Sequence, residues 1–357
     1  MRLTVVTHFA SPYQIELFDA IAKRSGIILT VIYLHRTFST REWMTLRPTH
    51  NAVYLDLAPA EFEVARKCVR TADLAVFNYY AEQPASILLH DRARSGRAWC
   101  FWGERPGSHR LGRFAQLYRR WRLSVVHRKP IPIWGVGNWA VDAYRNEYGP
   151  GRLYVNVPYF SDISRFTRAS GARQTNRLTV LYSGSLIFRK GVDVLAKAFS
   201  RLAMNYPQVR LRVLGAGPLR GYLRRKLAGH NGRVTFVGFK DWHAVPEIYK
   251  SADVLCVPSR YDGWNLVVPE GLAAGLPVIA TDRTGAALDL VRPGENGWVT
   301  RAGHVSSLYE ALVAACQMTK SQLDQFSELA TQSVSNHTLD NGAERFCAAA
   351  TASIEAF

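Results

Sequence analysis

Short apolar runs alternating with segments of helical period predict an α/β protein built on parallel sheets with helices on both faces. Residues 159–177 interrupt that alternation with a polar, basic stretch containing Ser, Gly and Asn, which divides the chain in two. The length of 357 residues fits two domains of ordinary size, and a hydrophobic share of 48% lets each bury a core. In the first domain the strand candidates are Leu3–Thr7, Ile27–Leu34, Leu74–Phe77, Ala98–Trp102 and Ile131–Val136, with helical patterns at Ile15–Arg24 and Ala140–Glu147. In the second they are Thr179–Tyr182, Val209–Leu214, Val234–Phe236, Val254–Val257 and Val278–Ala280, with helices at Val192–Asn205, Leu219–Leu227 and Glu270–Ala274. Asp340–Ala356 reads as a helix at the chain end. The expected division is therefore 1–165, 166–339 and a C-terminal helix over 340–357 that packs back toward the N-terminal domain.

The charge narrows the partners. Lys and Arg number 45 against 28 Asp and Glu, a formal charge of +17, so an acidic partner is expected: nucleotide phosphates, anionic lipid or nucleic acid. No nucleic-acid module is recognisable, which disfavours the last. Cys68, Cys100, Cys256, Cys316 and Cys347 are scattered, odd in number and without metal-ligand spacing, which points to a reducing compartment. Met1-Arg2 runs straight into the first strand, and no apolar run approaches the ~20 residues that span a bilayer. A cytosolic protein, or one attached to a membrane surface, is expected.

Two segments carry chemistry. Asp262 and Glu270 flank the glycine-bearing loop Gly263-Trp264-Asn265, which leads into a helix and then a buried strand. Pro269 suits the first helical position, leaving free amides at an end that attracts anions. Glu270 as a partner of the helix dipole, and Asp262-Gly263 as an ordinary turn, are the competing readings. Upstream, Val180–Tyr182 ends in Ser183-Gly184-Ser185, and Arg189-Lys190-Gly191 precedes the next helix. A strand, a small-residue loop and paired cations make a phosphate cradle, unless Arg189 and Lys190 are merely solvated at a turn. Leu214-Gly215-Ala216-Gly217 suggests a dinucleotide site, but no acidic residue ends the following strand to hold a ribose, so the nicotinamide reading fails.

Taken together, Gly184…Arg189-Lys190-Gly191, Val213–Pro218, Val234–Gly238, Ala252-Asp253-Val254…Pro258-Ser259 and Asp262-Gly263…Glu270-Gly271…Ala274–Val278 resemble the retaining family-four glycosyltransferases. Their GT-B architecture has two Rossmann-like domains with parallel sheets facing a central cleft. The first half agrees more loosely, through Ser11–Phe18 and Val157–Asp162. The resemblance implies that Glu270 binds the nucleotide ribose. Asp262 and the amides of Gly263, Trp264 and Asn265 would then hold the donor sugar and its phosphates, and Gly184, Ser185, Gly215 and Gly238 are further donor-binding positions. Lys190, helped by Arg189, would stabilise the leaving diphosphate. The leaving phosphate itself takes the acceptor's proton, so neither metal nor cofactor is expected beyond the nucleotide sugar, and the chain has no Asp-x-Asp pair. Two positions depart from the family pattern. Asp262 stands where Glu is usual, about 1.5 Å shorter in reach, and Ser185 where Arg or Lys is common, with Arg189 nearby to supply the cation.

On the acceptor side the candidates are His8, Tyr13, Gln14, Glu104 and Arg105. His8 and Glu104-Arg105 follow strands whose ends such a sheet presents to the cleft; a structural His8 and a Glu104–Arg105 pair are the alternatives. Residues 92–129 carry eleven Lys or Arg. Within them Phe114, Leu117, Tyr118, Trp121 and Val125 recur at helical spacing among Arg113, Arg119, Arg120 and Arg122, as in a membrane-surface helix or a core-facing stripe with a solvated edge. The expected activity is retaining transfer from a nucleotide sugar to a glycan or lipid-linked acceptor in surface polysaccharide or lipopolysaccharide synthesis, at an anionic membrane face. A catalytically weak binding subunit of a glycan assembly complex is the alternative.

Overall fold

The apolar run after Met1 forms β1 (Arg2–Phe9), buried from Leu3 to Val6 on both sides, as a parallel strand covered by helices on both faces must be. It pairs in parallel with β2 (Ile28–His35) on one side and β4 (Leu74–Phe77) on the other. With β3 (Asn51–Tyr54), β5 (Trp99–Gly103), β6 (Ile133–Gly135) and β7 (Tyr154–Asn156), they make a seven-stranded parallel sheet in the order β3-β2-β1-β4-β5-β6-β7. The second sheet contains β8 (Thr179–Ser183), β9 (Arg210–Leu214), β10 (Val234–Gly238), β11 (Val254–Val257), β12 (Val278–Thr281) and β13 (Gly297–Thr300), ordered β10-β9-β8-β11-β12-β13. This computed structural model describes residues 1–36, 46–106, 117, 120–121, 123–167 and 178–357. It separates into two units, Met1–Asp162 with Leu339–Phe357, and Ile163–Thr338. Residues 168–177 of the expected junction lie outside the described residues.

The first unit is completed by the end of the chain. Helix Leu339–Glu355 buries Phe346 edge-on against Trp134 (5.0 Å between ring centroids), Trp102 (5.6 Å) and Phe18 (6.4 Å). Trp134 Nε1 donates to Ser353 Oγ at 2.9 Å, so the indole meets its one polar requirement inside that cluster. Arg92, fully buried on helix Gln83–Arg94, donates to the carbonyls of Val69, Arg70, Ala72, Asp73 and Ala98. It thereby collects the orphan acceptors at the end of helix Ala60–Thr71. Burial, and then Arg97, pull its guanidinium down to about 10.

In the second unit, helix Val192–Asn205 turns Leu195, Ala198, Phe199 and Leu202 inward at helical spacing and packs beside helix Val305–Gln317. Several elements differ from expectation. β3, β7 and β13 are short and their residues are partly solvated, so they lack the continuous apolar run that marks a central strand. The helix expected to start at Glu270 spans Val267–Ala273, which puts Pro269 third rather than first. A missing N–H is tolerated anywhere in that first turn.

Candidate functional site

In the second sheet the chain passes from β8 outward to β9 and β10, then returns to β11 on the other side and continues to β12 and β13. The reversal between β8 and β11 is a topological switch point, where open α/β sheets bind ligands outside their carboxyl ends. The loops leaving these two strands carry Lys190 and Asp262. Lys190 Nζ donates to Asp262 Oδ2 at 2.5 Å, Arg189 Nη1 lies 3.4 Å from Oδ1, and Ser259 Oγ donates to Oδ2 at 3.4 Å. Lys190 and Asp262 retain 15% and 11% of their side-chain exposure against 48% for Arg189, so the lysine is the stronger partner.

Backbone geometry holds these groups. Gly191 sits at φ +68°, and a Cβ there would come 1.9 Å from the carbonyl oxygen of Pro258, so the loops after β8 and β11 touch main chain to main chain. Gly215, at φ +129°, makes the same approach to Gly184 O at 2.0 Å, and its N–H donates to Gly238 O. Arg260 clamps the cation-bearing turn. It pairs with both Asp193 oxygens (2.6 and 2.7 Å), lies 3.7 Å over the Phe188 ring and donates to Phe188 O. Burial raises the Asp193 carboxyl, but the Arg260 bonds outweigh it and hold it below its ordinary value.

Asn265 is the single non-glycine residue at positive φ (82°) among the described residues, a strained conformation of the kind that collects at ligand sites. Trp264 is different. Its ring is buried and stacked on His337, so only its main chain is available to a ligand. Glu270 Oε2 accepts from Tyr249 OH at 3.4 Å, and burial followed by the Glu270 charge keeps that phenol protonated well above its ordinary range. Ser185 is exposed, while its carbonyl accepts from Tyr182 OH. Gly238, at φ +79°, has open space beside it.

The first sheet reverses direction between β1 and β4. His8 Nε2 lies 2.9 Å from Glu82 Oε1, and His35 Nε2 lies 2.7 Å from Glu82 Oε2. Burial raises the Glu82 carboxyl, but His35 and then His8 hold it below its usual value. Gln14 is buried, donating to Thr7 Oγ1 and Asn78 Oδ1 and accepting from Ser11 Oγ, so it braces the end of β1 rather than facing outward. Tyr13 packs against Tyr159 at 5.2 Å, and Glu104 O accepts from Tyr144 OH. Arg105 lies 4.0 Å over the Trp139 ring. Of the basic stripe, Arg113, Phe114, Tyr118, Arg119 and Arg122 lie outside the described residues. Arg120, Leu117 and Trp121 are exposed, the last two at 61% and 69%, while Val125 is partly buried. Among the described residues no helix is long and apolar enough to cross a membrane. Sequence reasoning missed Arg260, Tyr249, His35 and Glu82, whose partners are set by the fold rather than by a local motif.

Residues 164–332 match the family described as glycosyl transferases group 1. The match takes in most of the second unit. The chain is 34% identical over 208 residues to the phosphatidyl-myo-inositol mannosyltransferase of Mycobacterium leprae, covering 57% of this chain and 53% of that protein. It is 27% identical over 195 residues to the GDP-mannose-dependent monoacylated alpha-(1-6)-phosphatidylinositol monomannoside mannosyltransferase of Corynebacterium glutamicum, covering 50% and 51%. The chain thus spans about half the length of these curated relatives. Anabaena HepE, solved in complex with UDP, superposes with a TM-score of 0.78 at 19% identity, over 99% of this chain and 100% of that one. The fold is that of GT-B glycosyltransferases, two Rossmann-like units on parallel sheets.

Proposed function

We propose that the chain is a retaining glycosyltransferase that moves a sugar from a nucleoside-diphosphate donor to a glycan or lipid-linked acceptor of the bacterial surface, working in the cytoplasm at the inner membrane face. The observation that carries this reading is the meeting of Lys190 and Asp262 across the switch point of β8 and β11, inside the segment that matches the family. The acceptor hydroxyl attacks the anomeric carbon on the face from which the diphosphate leaves. The carbon–phosphate oxygen bond breaks as the new glycosidic bond forms, and the departing phosphate oxygen takes the hydroxyl proton. Lys190 and Arg189 offset the charge that develops on that oxygen, so the donor step needs no metal and no cofactor. Glu270 holds the ribose; Asp262 and the main chain of Gly263–Asn265 hold the sugar and its phosphates.

The formal charge of +17 and the relatives named for phosphatidylinositol lipids support an anionic, lipid-linked acceptor. The test is a panel of nucleotide sugars screened by thermal shift, followed by NMR assignment of the product anomer. A donor that raises the melting temperature and yields a product of unchanged anomeric configuration is expected. Inverted product would overturn the retaining step. Donor binding without turnover or hydrolysis would instead favour a binding subunit, the reading kept open by the shorter Asp262 and the neutral Ser185.

A further inference from the structure

We propose that His8, His35 and Glu82 form a binding site for a divalent transition-metal ion of the zinc class, with one coordination position left open to an oxygen ligand. The site lies wholly within the first unit and does not depend on the donor reading. His8 comes from the end of β1, His35 is the last residue of β2, and Glu82 directly precedes helix Gln83–Arg94. Because β1 sits between β2 and β4, three residues spread over 74 positions meet outside the carboxyl end of the sheet, at its switch point.

The geometry is close to what an ion requires. The two Nε2 atoms converge on opposite oxygens of one carboxylate, at 2.9 and 2.7 Å, and one ligand atom from each of the three residues lies within 4.8 Å of the others. A tetrahedral ion with bonds of about 2.0–2.2 Å sets its ligand atoms roughly 3.3–3.5 Å apart. Side-chain shifts of about 1 Å or less therefore admit it, without moving the strands. The supporting contacts are those that orient metal ligands. Tyr79 stacks on the His8 ring at 4.1 Å, nearly parallel, and its hydroxyl donates to Glu82 Oε1 at 3.3 Å. Two imidazoles and one carboxylate suit zinc and its first-row neighbours, whereas magnesium and calcium prefer all-oxygen shells. The three side chains keep 24%, 37% and 38% of their exposure, so an ion and a further oxygen ligand, a phosphate or a hydroxyl, can enter.

The full chain, stripped with EDTA and dialysed, is titrated with Co²⁺ while its visible d–d absorption is read, then with Zn²⁺ by calorimetry. The expected result is a single saturable Co²⁺ site that Zn²⁺ displaces and Mg²⁺ does not. His35→Ala and Glu82→Gln should each weaken binding by about tenfold or more. Glu82→Gln keeps the size and a hydrogen bond of the native side chain, so it reports on ligation even if the histidine variant folds poorly, and circular dichroism checks both. No Co²⁺ absorption in the wild type, or unchanged affinity in a folded Glu82→Gln chain, would overturn the proposal and leave a hydrogen-bonded cluster only.

Discussion

Lys190 and Asp262 make a pair that is nearly dry yet lies where a diphosphate is proposed to sit, so its strength should depend on whether nucleotide is present. The perturbation is a cycle of Lys190→Met, Asp262→Asn and the double variant. A charge-assisted hydrogen bond contributes about 1.5–3 kcal/mol, and breaking a fully buried pair costs roughly 3–5 kcal/mol. Both side chains here keep a little exposure, and Arg189 remains 3.4 Å from Asp262 as a second cation. The coupling energy should therefore fall in the lower range, about 1.5–3 kcal/mol. Urea melts of the four proteins measure it, first alone and then with saturating nucleoside diphosphate. With nucleotide bound, the phosphates give Lys190 another partner and the coupling should shrink. Lys190→Met should also weaken nucleotide binding tenfold or more, whereas Lys190→Ala should lower turnover by about two orders of magnitude. A coupling below about 0.5 kcal/mol, or one that nucleotide leaves unchanged while Lys190→Met binds it normally, would refute the reasoning.

Glu270→Gln should weaken free nucleoside diphosphate, whereas Asp262→Asn should spare it and impair only the sugar-bearing donor; equal losses of both ligands in both variants would abolish that division. EDTA should leave nucleoside-diphosphate affinity unchanged, because the cations of the donor step are Arg189 and Lys190; a loss restored by Mg²⁺ or Mn²⁺ would place a metal there instead. Gly191→Ala should destabilise the second unit by a few kcal/mol, since it combines positive φ with a Cβ 1.9 Å from Pro258 O; a thermal melt within a degree of wild type would contradict the geometry. His50 should make stability fall with acid. Its Nδ1 lies 2.6 Å from Asp19 Oδ1 and its Nε2 lies 3.0 Å from Tyr33 OH. Burial, opposed by Asp19, lowers its pKa from 6.5, so the unfolded chain takes up a proton there that the folded chain resists. Stability is then complete above about pH 6.5 and declines as pH falls through and below it, and His50→Gln should flatten that part of the curve; an unchanged slope would exclude His50 as its source.

The central strands were legible because burial on both faces writes itself as an unbroken apolar run. Val254–Val257 matches its predicted bounds, and Leu74–Phe77 does too. Edge strands gave no such signal: Tyr154–Asn156 is three partly exposed residues, and its pairing with β6 comes from the sheet rather than from its own composition. Helix Gln83–Arg94 is hard to read from the sequence for another reason. Its inward face includes Arg92, a charge in the core made tolerable only by five carbonyls from segments that a linear reading cannot bring together.

The two switch points show why one candidate site could be read and the other only through His8. In the second unit the loop itself does the work. Gly191 and Gly215 are forced by main-chain approaches of about 2 Å, Arg189 and Lys190 directly precede Gly191, and Asp262 and Glu270 lie within one short loop-helix segment, so each half of the constraint is printed locally. In the first unit the strand ends that carry His8 and His35 hold no glycine, and Glu82 stands in no motif. Their convergence follows from strand order alone, which places β2 and β4 on either side of β1. The end of a strand marks His8 as a candidate, but its partners His35 and Glu82 cannot be named until the strand order is known. The same topological rule thus builds both clusters, but only the one that also demands special backbone conformations leaves a signature in the order of residues.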